Sequence, residues 1–243
     1  WAATGSLGED FPFSWDECEH SSKFLTKLWN VSRFISSHLE DFVDKGVTSE
    51  DLELRISDKW VLSKLQKVVE TANVNFEKYV FNIPTQEIRG FVWHELADYY
   101  LEMVKHRLYK PEIYGEESRR AAQYTLHYIL ETILKLLAPI TPHITEELYT
   151  ELFGKGSVHK ADYPEKDVEL VDEEAEKAGE LLVQVIDSIR KYKTDNNMSL
   201  GAELEKIIVA GPDVLKDLEK DIKGTGRIQE IEFKEAKEIK LSF

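Results

Sequence analysis

The chain has 243 residues, 42% of them hydrophobic and 11% aromatic, enough apolar surface for a substantial core, which excludes a disordered polypeptide. The 46 Asp and Glu against 31 Lys and Arg leave a formal net charge of −15, which excludes blanket neutralisation of a nucleic-acid backbone as the main source of affinity. It does not exclude local recognition of an unpaired loop.

A single cysteine, Cys18, rules out an internal disulfide framework and a zinc site built on paired cysteines. No apolar run nears the roughly 20 residues that span a bilayer, and no signal peptide opens the chain. A cytoplasmic location without membrane partners is expected. The opening WAATGSLGEDF is small and acidic and reads as the end of an earlier unit, so residues 1–13 are expected to be the tail of a connection and the chain a fragment.

Ser14-Trp15-Asp16-Glu17 has the spacing of a capping box. Phe24, Leu28, Val31 and Ile35 then recur at helical period, which predicts a helix from Ser14 into the late thirties, with Lys45-Gly46 in the break that follows. Ser57 or Asp58 is placed to cap a second helix with Leu62, Leu65, Val69, Ala72, Phe76 and Tyr79 as its buried stripe. Asn82-Ile83-Pro84 is expected to end it. Thr85 opens a third, TQEIRGFVWHELADYYLEMVKHRLY, with Phe91, Leu96, Tyr99 and Met103 inward and Lys110-Pro111 as its stop.

The fourth helix is expected over 116–137, broken by Pro139 and Pro142 before a short fifth, ITEELYTELF, with Gly154-Lys155-Gly156 at its close. Long amphipathic helices with short connections predict an up-and-down bundle over 14–155. After a linker at 156–167, Ala175, Ala178, Leu182, Val185, Ile189 and Tyr192 place a sixth helix. KIIVAG reads as a strand, Pro212 starts a short helix that Gly224 ends, and RIQEIEFKEAKEIKLSF holds one or two strands. The expected fold is mainly α: a helical bundle followed by a small α+β subdomain over 168–243.

The segment KFLTKLWNVSRF, residues 23–34, gathers cations and aromatics in an acidic chain. On a helix turning about 100° per residue, with Lys27 at zero, Phe24, Leu28, Val31 and Ile35 fall between roughly 40° and 100°. Asn30 and Phe34 then fall at about −60° and −20°, beside Lys27 at the rim of that stripe. A cation, an amide and a ring can neutralise a phosphate, read a base edge and stack an unpaired base; the plainer alternative is a solvated helix face with Phe34 completing the core.

His94, Asp98 and Glu102 share a helix face at metal-ligand spacing, but ion pairing within the helix accounts for the carboxylates without a metal. Cys18 and His20 lack the companions of a thiol nucleophile. No GxGxxG, GxxxxGK[ST] or HExxH occurs, so neither a catalytic residue nor a metal is expected. Cations cluster at Lys105, Arg107 and Lys110, at Arg119 and Arg120, and at Arg190, Lys191 and Lys193. Complementing a helix dipole explains the first and third groups well and Arg119-Arg120, near a helix start, badly.

The strings WAATGSLGEDFPFS, KFLTKLWNVSRF, FVWHELADYYLEMVKHRLY, LLAPITPHITEELY and SVHKADYPE, in this order, resemble the anticodon-binding region of class I aminoacyl-tRNA synthetases of the valyl, isoleucyl and leucyl branch. They cover residues 1 to about 165, and IRKYKTDNNMSL with its following strand looks like the small domain that comes next in that family. The opening WAATGSLGED looks most like valyl enzymes, of the archaeal type because no long coiled-coil arm follows; isoleucyl enzymes are the alternative, and outside the family a protein-interaction bundle without RNA affinity.

The resemblance implies an anticodon site at Lys27, Asn30, Arg33 and Phe34, with Lys27 on a base edge or phosphate and Phe34 stacked on a base. Lys23, Arg119, Arg120, Arg190 and Lys193 become candidate contacts to the tRNA backbone. The family's HIGH and KMSKS signatures and its editing domain are absent, so the resemblance implies that ATP with magnesium acts in a catalytic part outside these residues. This chain would then carry no cofactor and be inactive alone. Its partner would be tRNA, that for valine above all, and not DNA, and it would be a monomer.

Overall fold

Ser14 Oγ accepts the Glu17 N–H at 3.3 Å, and Asp16 and Glu17 sit at the positive end of the helix they open. Helix α1 (Trp15–Leu39) therefore starts where its cap dictates, with Phe24, Leu28, Val31 and Ile35 buried. The computed structural model describes residues 1–42, 46–154 and 156–243; Lys45 and Lys155, expected in breaks, lie outside the described residues.

Helix α2 (Ile56–Phe76) opens with the Asp58 carboxylate reaching back to the Arg55 N–H at 2.9 Å, the reciprocal half of a capping box. Its stripe is buried as expected from Leu62 to Ala72, whereas Phe76 is half-buried and Tyr79 is 71% exposed and takes up φ 58° beyond the helix end. Pro84 does not end α2. It lies in the first turn of α3 (Asn82–Phe91), where the N–H that proline lacks would have no partner in any case.

Helix α3 passes without a break into a π-helical stretch (Val92–Tyr100) and then α4 (Leu101–Tyr109). The Leu101 N–H bonds to the Leu96 carbonyl, and this i to i+5 pattern widens each turn. The widening moves the inward position by one residue. Tyr100, not the expected Tyr99, is fully buried, and Tyr99 instead donates its hydroxyl to Asp187 at 3.0 Å.

The one-turn helix α5 (Pro111–Tyr114) leads into α6 (Glu116–Leu137), whose bounds match the sequence expectation. Helix α7 (Pro142–Phe153) opens on Pro142 and closes at Gly154, whose left-handed φ of 60° favours glycine. Helix α8 (Glu173–Asp195) starts at Asp172, which accepts the Ala175 N–H at 2.8 Å. Among the described residues no helix is long and apolar enough to cross a membrane.

Helix α2 packs against α3, α6 and α8, α3 also packs against α6, and α1 is laid across α6 and α7. One apolar cluster runs from Phe24 in α1 through α2, α4 and α6 to Leu182 and Ile189 in α8 and Val209 in the sheet. The core therefore does not divide at 156–167, the expected linker. That segment is tied down: Asn73 donates to the Pro164 carbonyl at 3.1 Å, and Gln66 accepts the Asp167 N–H at 2.9 Å.

Helix α8 approaches α2 closely at Gly179, where an added Cβ would overlap the Trp60 indole. Trp60 is itself 2% exposed and cannot swing into solvent. Gly179→Ala is expected to cost about 1–3 kcal/mol as an overpacked contact, read as a lower urea midpoint at unchanged m-value.

The sheet has the order β2-β1-β3. Its central strand β1 (Leu204–Gly211) runs parallel to β2 (Ile228–Glu235) and antiparallel to β3 (Lys240–Ser242), so that Val209 faces Phe233 on one side and Leu241 on the other. The crossover carries α9 (Glu219–Gly226), which continues through Gly224, the residue expected to end it. Gly224 is needed for a different reason: a Cβ there would overlap the His106 ring of α4. Tyr192 of α8 stacks flat on Phe243, ring centroids 3.7 Å apart, which fixes the last residue to the bundle.

Candidate nucleic-acid interface

The rim of α1 and the facing side of the π-helical stretch and α4 enclose a cleft of about 410 Å³. Lys23, Lys27, Asn30 and Phe34 line it from α1; Ala97, Leu101, Glu102 and Lys105 line it from the opposite wall. The helical wheel placed Lys27, Asn30 and Phe34 on one rim face, and the three line the cleft together, with Lys23 beside them. The opposite wall was legible only as Ala97, Leu101 and Lys105, four apart on one helix face.

Lys27 Nζ bonds to Asp98 Oδ1 at 2.9 Å and lies 4.4 Å from the centroid of the Trp93 ring. Asp98 also faces His94 Nδ1 at 3.4 Å, and Glu102 pairs with Lys105. The residues of the suspected metal triad therefore have protein partners, though Asp98 takes its cation from α1 and not from its own helix.

The Asn30 side chain is exposed and makes no hydrogen bond among the described residues. Phe34 is half-buried, with its ring edge-on to His38 at 4.7 Å and Lys105 Nζ at 5.9 Å from its centroid. Lys23 is exposed and pairs with Glu19 at 2.7 Å. Arg33 is exposed on the far side of the rim and does not line the cleft.

The expected backbone contacts divide. Arg120 is exposed. Arg119 makes a two-point bond to Asp41 at 2.6 and 3.0 Å, which holds the Asp41 carboxyl below its ordinary range; Gln123 also donates to that carboxylate, at 2.8 Å. Arg190 donates to the Asp98 carbonyl at 2.8 Å and lies over the Tyr99 ring. Lys193 is not open to a phosphate: it is 1% exposed, and its ammonium donates to the carbonyls of Leu200, Ala202 and Gly226 at 3.1, 2.7 and 2.8 Å. Arg107 is likewise no dipole cation but is fully buried against Asp58.

Residues 58–208 match the family model described as the anticodon-binding domain of tRNA ligase. The chain belongs to this family. Among curated proteins, the anticodon-binding domain is 43% identical over 239 residues to the valine–tRNA ligase of Pyrococcus furiosus and 43% identical over 239 residues to that of Thermococcus kodakarensis. It is 39% identical over 235 residues to the valine–tRNA ligase of Methanothermobacter thermautotrophicus. These alignments take in 95 to 96% of this chain and 26% of each relative, so the domain spans about a quarter of the curated relatives it matches. The likeness to these ligases covers nearly all of the anticodon-binding domain, whereas the family match begins only after α1.

Proposed function

We propose that this chain recognises the anticodon loop of tRNA, that for valine, within a longer valine–tRNA ligase. The observation that carries the reading is the cleft between α1 and α4, which gathers Lys27, Asn30 and Phe34 on one surface in a chain of the anticodon-binding family. Phe34 offers a ring for an unpaired base, Asn30 an amide with donor and acceptor free for a base edge, and Lys27 a cation that exchanges Asp98 for the nucleotide. Lys23 lines the same cleft as a further backbone contact, and Arg33 and Arg120, which do not line it, are secondary contacts.

Residues 1–13 lead in from the part of the ligase that activates valine, where ATP and magnesium act. Charging of tRNA belongs to that part, and this chain alone has no ligase activity. The setting of the enzyme is the cytoplasm. The names of the relatives support valine over isoleucine as the amino acid.

Titration with a valine tRNA transcript, and with the same transcript carrying an isoleucine anticodon, tests the reading. Tighter binding of the valine form is expected; equal affinity for the two would remove the anticodon role. Phe34→Ala is expected to cost about 1–3 kcal/mol of binding, the worth of one stacked base. Lys27→Ala is expected to flatten the dependence of log K on log salt by about one unit if it meets a phosphate. An unchanged affinity in Phe34→Ala would take that residue out of the site.

A further inference from the structure

A second cleft, of about 550 Å³, lies between the end of α4 and the turn from α9 into β2. Glu102 and Lys105 line both clefts, so the two are neighbours that share these side chains. Lys105, Lys110, Lys223 and Arg227 line the second cleft, against the carboxylates of Glu102 and Glu203. In a chain of net charge −15, this is a local excess of cations. Two carry no compensation, since Lys110 and Arg227 are exposed and have no ion-pair partner among the described residues, whereas Lys105 pairs with Glu102 and Lys223 with Glu219.

The aromatic side chains point the same way. His38 meets the Phe34 ring at 4.7 Å and the Tyr109 ring at 4.8 Å, so a row of rings leads from the first cleft to the second. Tyr109 ends that row 60% exposed. Burial does not account for a tyrosine held in this way, and its open ring has the form that stacks on an unpaired base.

Arg227 supplies an independent observation. It follows the last residue of α9 with φ 52°, a left-handed conformation in which a helix end normally carries glycine. An arginine there bears a steric cost, and its guanidinium is held at the cleft by a 2.9 Å bond to the Gly201 carbonyl.

We propose that this second cleft binds the strand of RNA flanking the bases held at Phe34, with Tyr109 as a second stacking ring and Lys110 and Arg227 on its phosphates. The small sheet-bearing part of the chain is then a wall of the RNA site, and not only a cap on the bundle. The proposal rests on the anticodon-loop reading of the first cleft.

The test is titration of the full chain and its variants with an anticodon stem–loop transcript across a range of salt. Tyr109→Ala is expected to weaken binding by roughly 5- to 150-fold, the value of one stacked base. Lys110→Ala and Arg227→Gly are each expected to flatten the salt slope by about 0.7 to 0.9 unit. Arg227→Gly should keep or raise the thermal midpoint, because glycine suits its backbone, which separates an RNA role from a folding role. Lys78, beyond the far end of α2, serves as control, and Lys78→Ala should leave the slope unchanged. If Phe34→Ala weakens binding while the Tyr109, Lys110 and Arg227 variants bind as wild type, the second cleft is not an RNA site and the first reading stands. If Lys78→Ala flattens the slope as much as Arg227→Gly, the cations act without a site. Absence of binding by the unaltered chain at low salt would overturn both readings.

Discussion

Arg107→Ala is expected to lower the unfolding free energy by about 3–5 kcal/mol, the cost of breaking a buried ion pair from one side. Arg107 and Asp58 are both 0% exposed. Their two-point contact runs at 2.7 and 2.9 Å, the Tyr100 hydroxyl donates to the same carboxylate at 2.6 Å, and the guanidinium also donates to the Ser118 carbonyl at 3.1 and 2.6 Å. Burial pushes the Asp58 carboxyl up, but the Arg107 charge and hydrogen bonds outweigh it and hold the group below its ordinary range. Without Arg107 that carboxylate loses its bidentate cation in a fully buried site. The double variant Asp58→Leu, Arg107→Met should recover much of the loss, since an apolar pair of similar volume needs no compensation. Urea unfolding decides it: a loss below about 1 kcal/mol in Arg107→Ala would mean that water reaches Asp58. The same pair fixes α4 to the start of α2, so Arg107→Ala should also loosen the α4 wall of the cleft, and under the proposed function RNA binding weakens with it.

How much of this was legible in the sequence depended on the range of the interaction. Helices α1 and α6 read well because their caps, apolar period and stops are local. The rim of Lys27, Asn30 and Phe34 followed from geometry within one helix, and the structure keeps it. Pro84 was misread because the same residue that cannot continue a helix is accepted in the first turn of the next one. Tyr100 was missed in favour of Tyr99 because a π-helical stretch breaks the 3.6-residue period on which the stripe was counted.

The charged residues were harder. Arg107 and Lys193 sit near helix ends, where a dipole explanation is cheap, yet both are consumed by partners beyond their own helix: Asp58 for the first, and the carbonyls of Ala202 and Gly226 for the second. Nothing local marks a lysine as buried. Likewise the partner of Lys27 is Asp98, 71 residues away, so the rim face was visible in sequence but the state of its cation was not. The sheet-bearing part was read as a separate subdomain because its period changes, whereas α8 joins it to the bundle through one core.

His106 leads to the last expected result, a loss of stability on mild acidification. It is 9% exposed, accepts from Arg55 at 3.2 Å, faces Asp221 at 4.0 Å, and has the Tyr114 ring and Gly224 against it. Burial, with the charges of Arg55 and Arg107 and against that of Asp58, lowers its pKa to about 3. In the unfolded chain histidine takes its proton near pH 6.5. The folded value is the lower one, so the unfolded state binds the proton first; the stabilisation is complete above about pH 6.5 and is lost as pH falls towards 3. One such residue gives a slope of up to about 1.4 kcal/mol per pH unit, or about 3 kcal/mol between pH 6.5 and 4. His38, lowered mainly by burial, adds in the same direction, and Asp58 and Asp41 only below the carboxylate range. His106→Gln should therefore flatten urea stability between pH 6.5 and 4.5 without abolishing its fall below. Because His106 lies where α4 meets α9, the amides of α9, β1 and β2 should lose hydrogen-exchange protection in acid before those of α1 and α6. A stability independent of pH from 7 to 4.5 would mean that His106 takes its proton as readily in the folded as in the unfolded chain, and would sink the assignment.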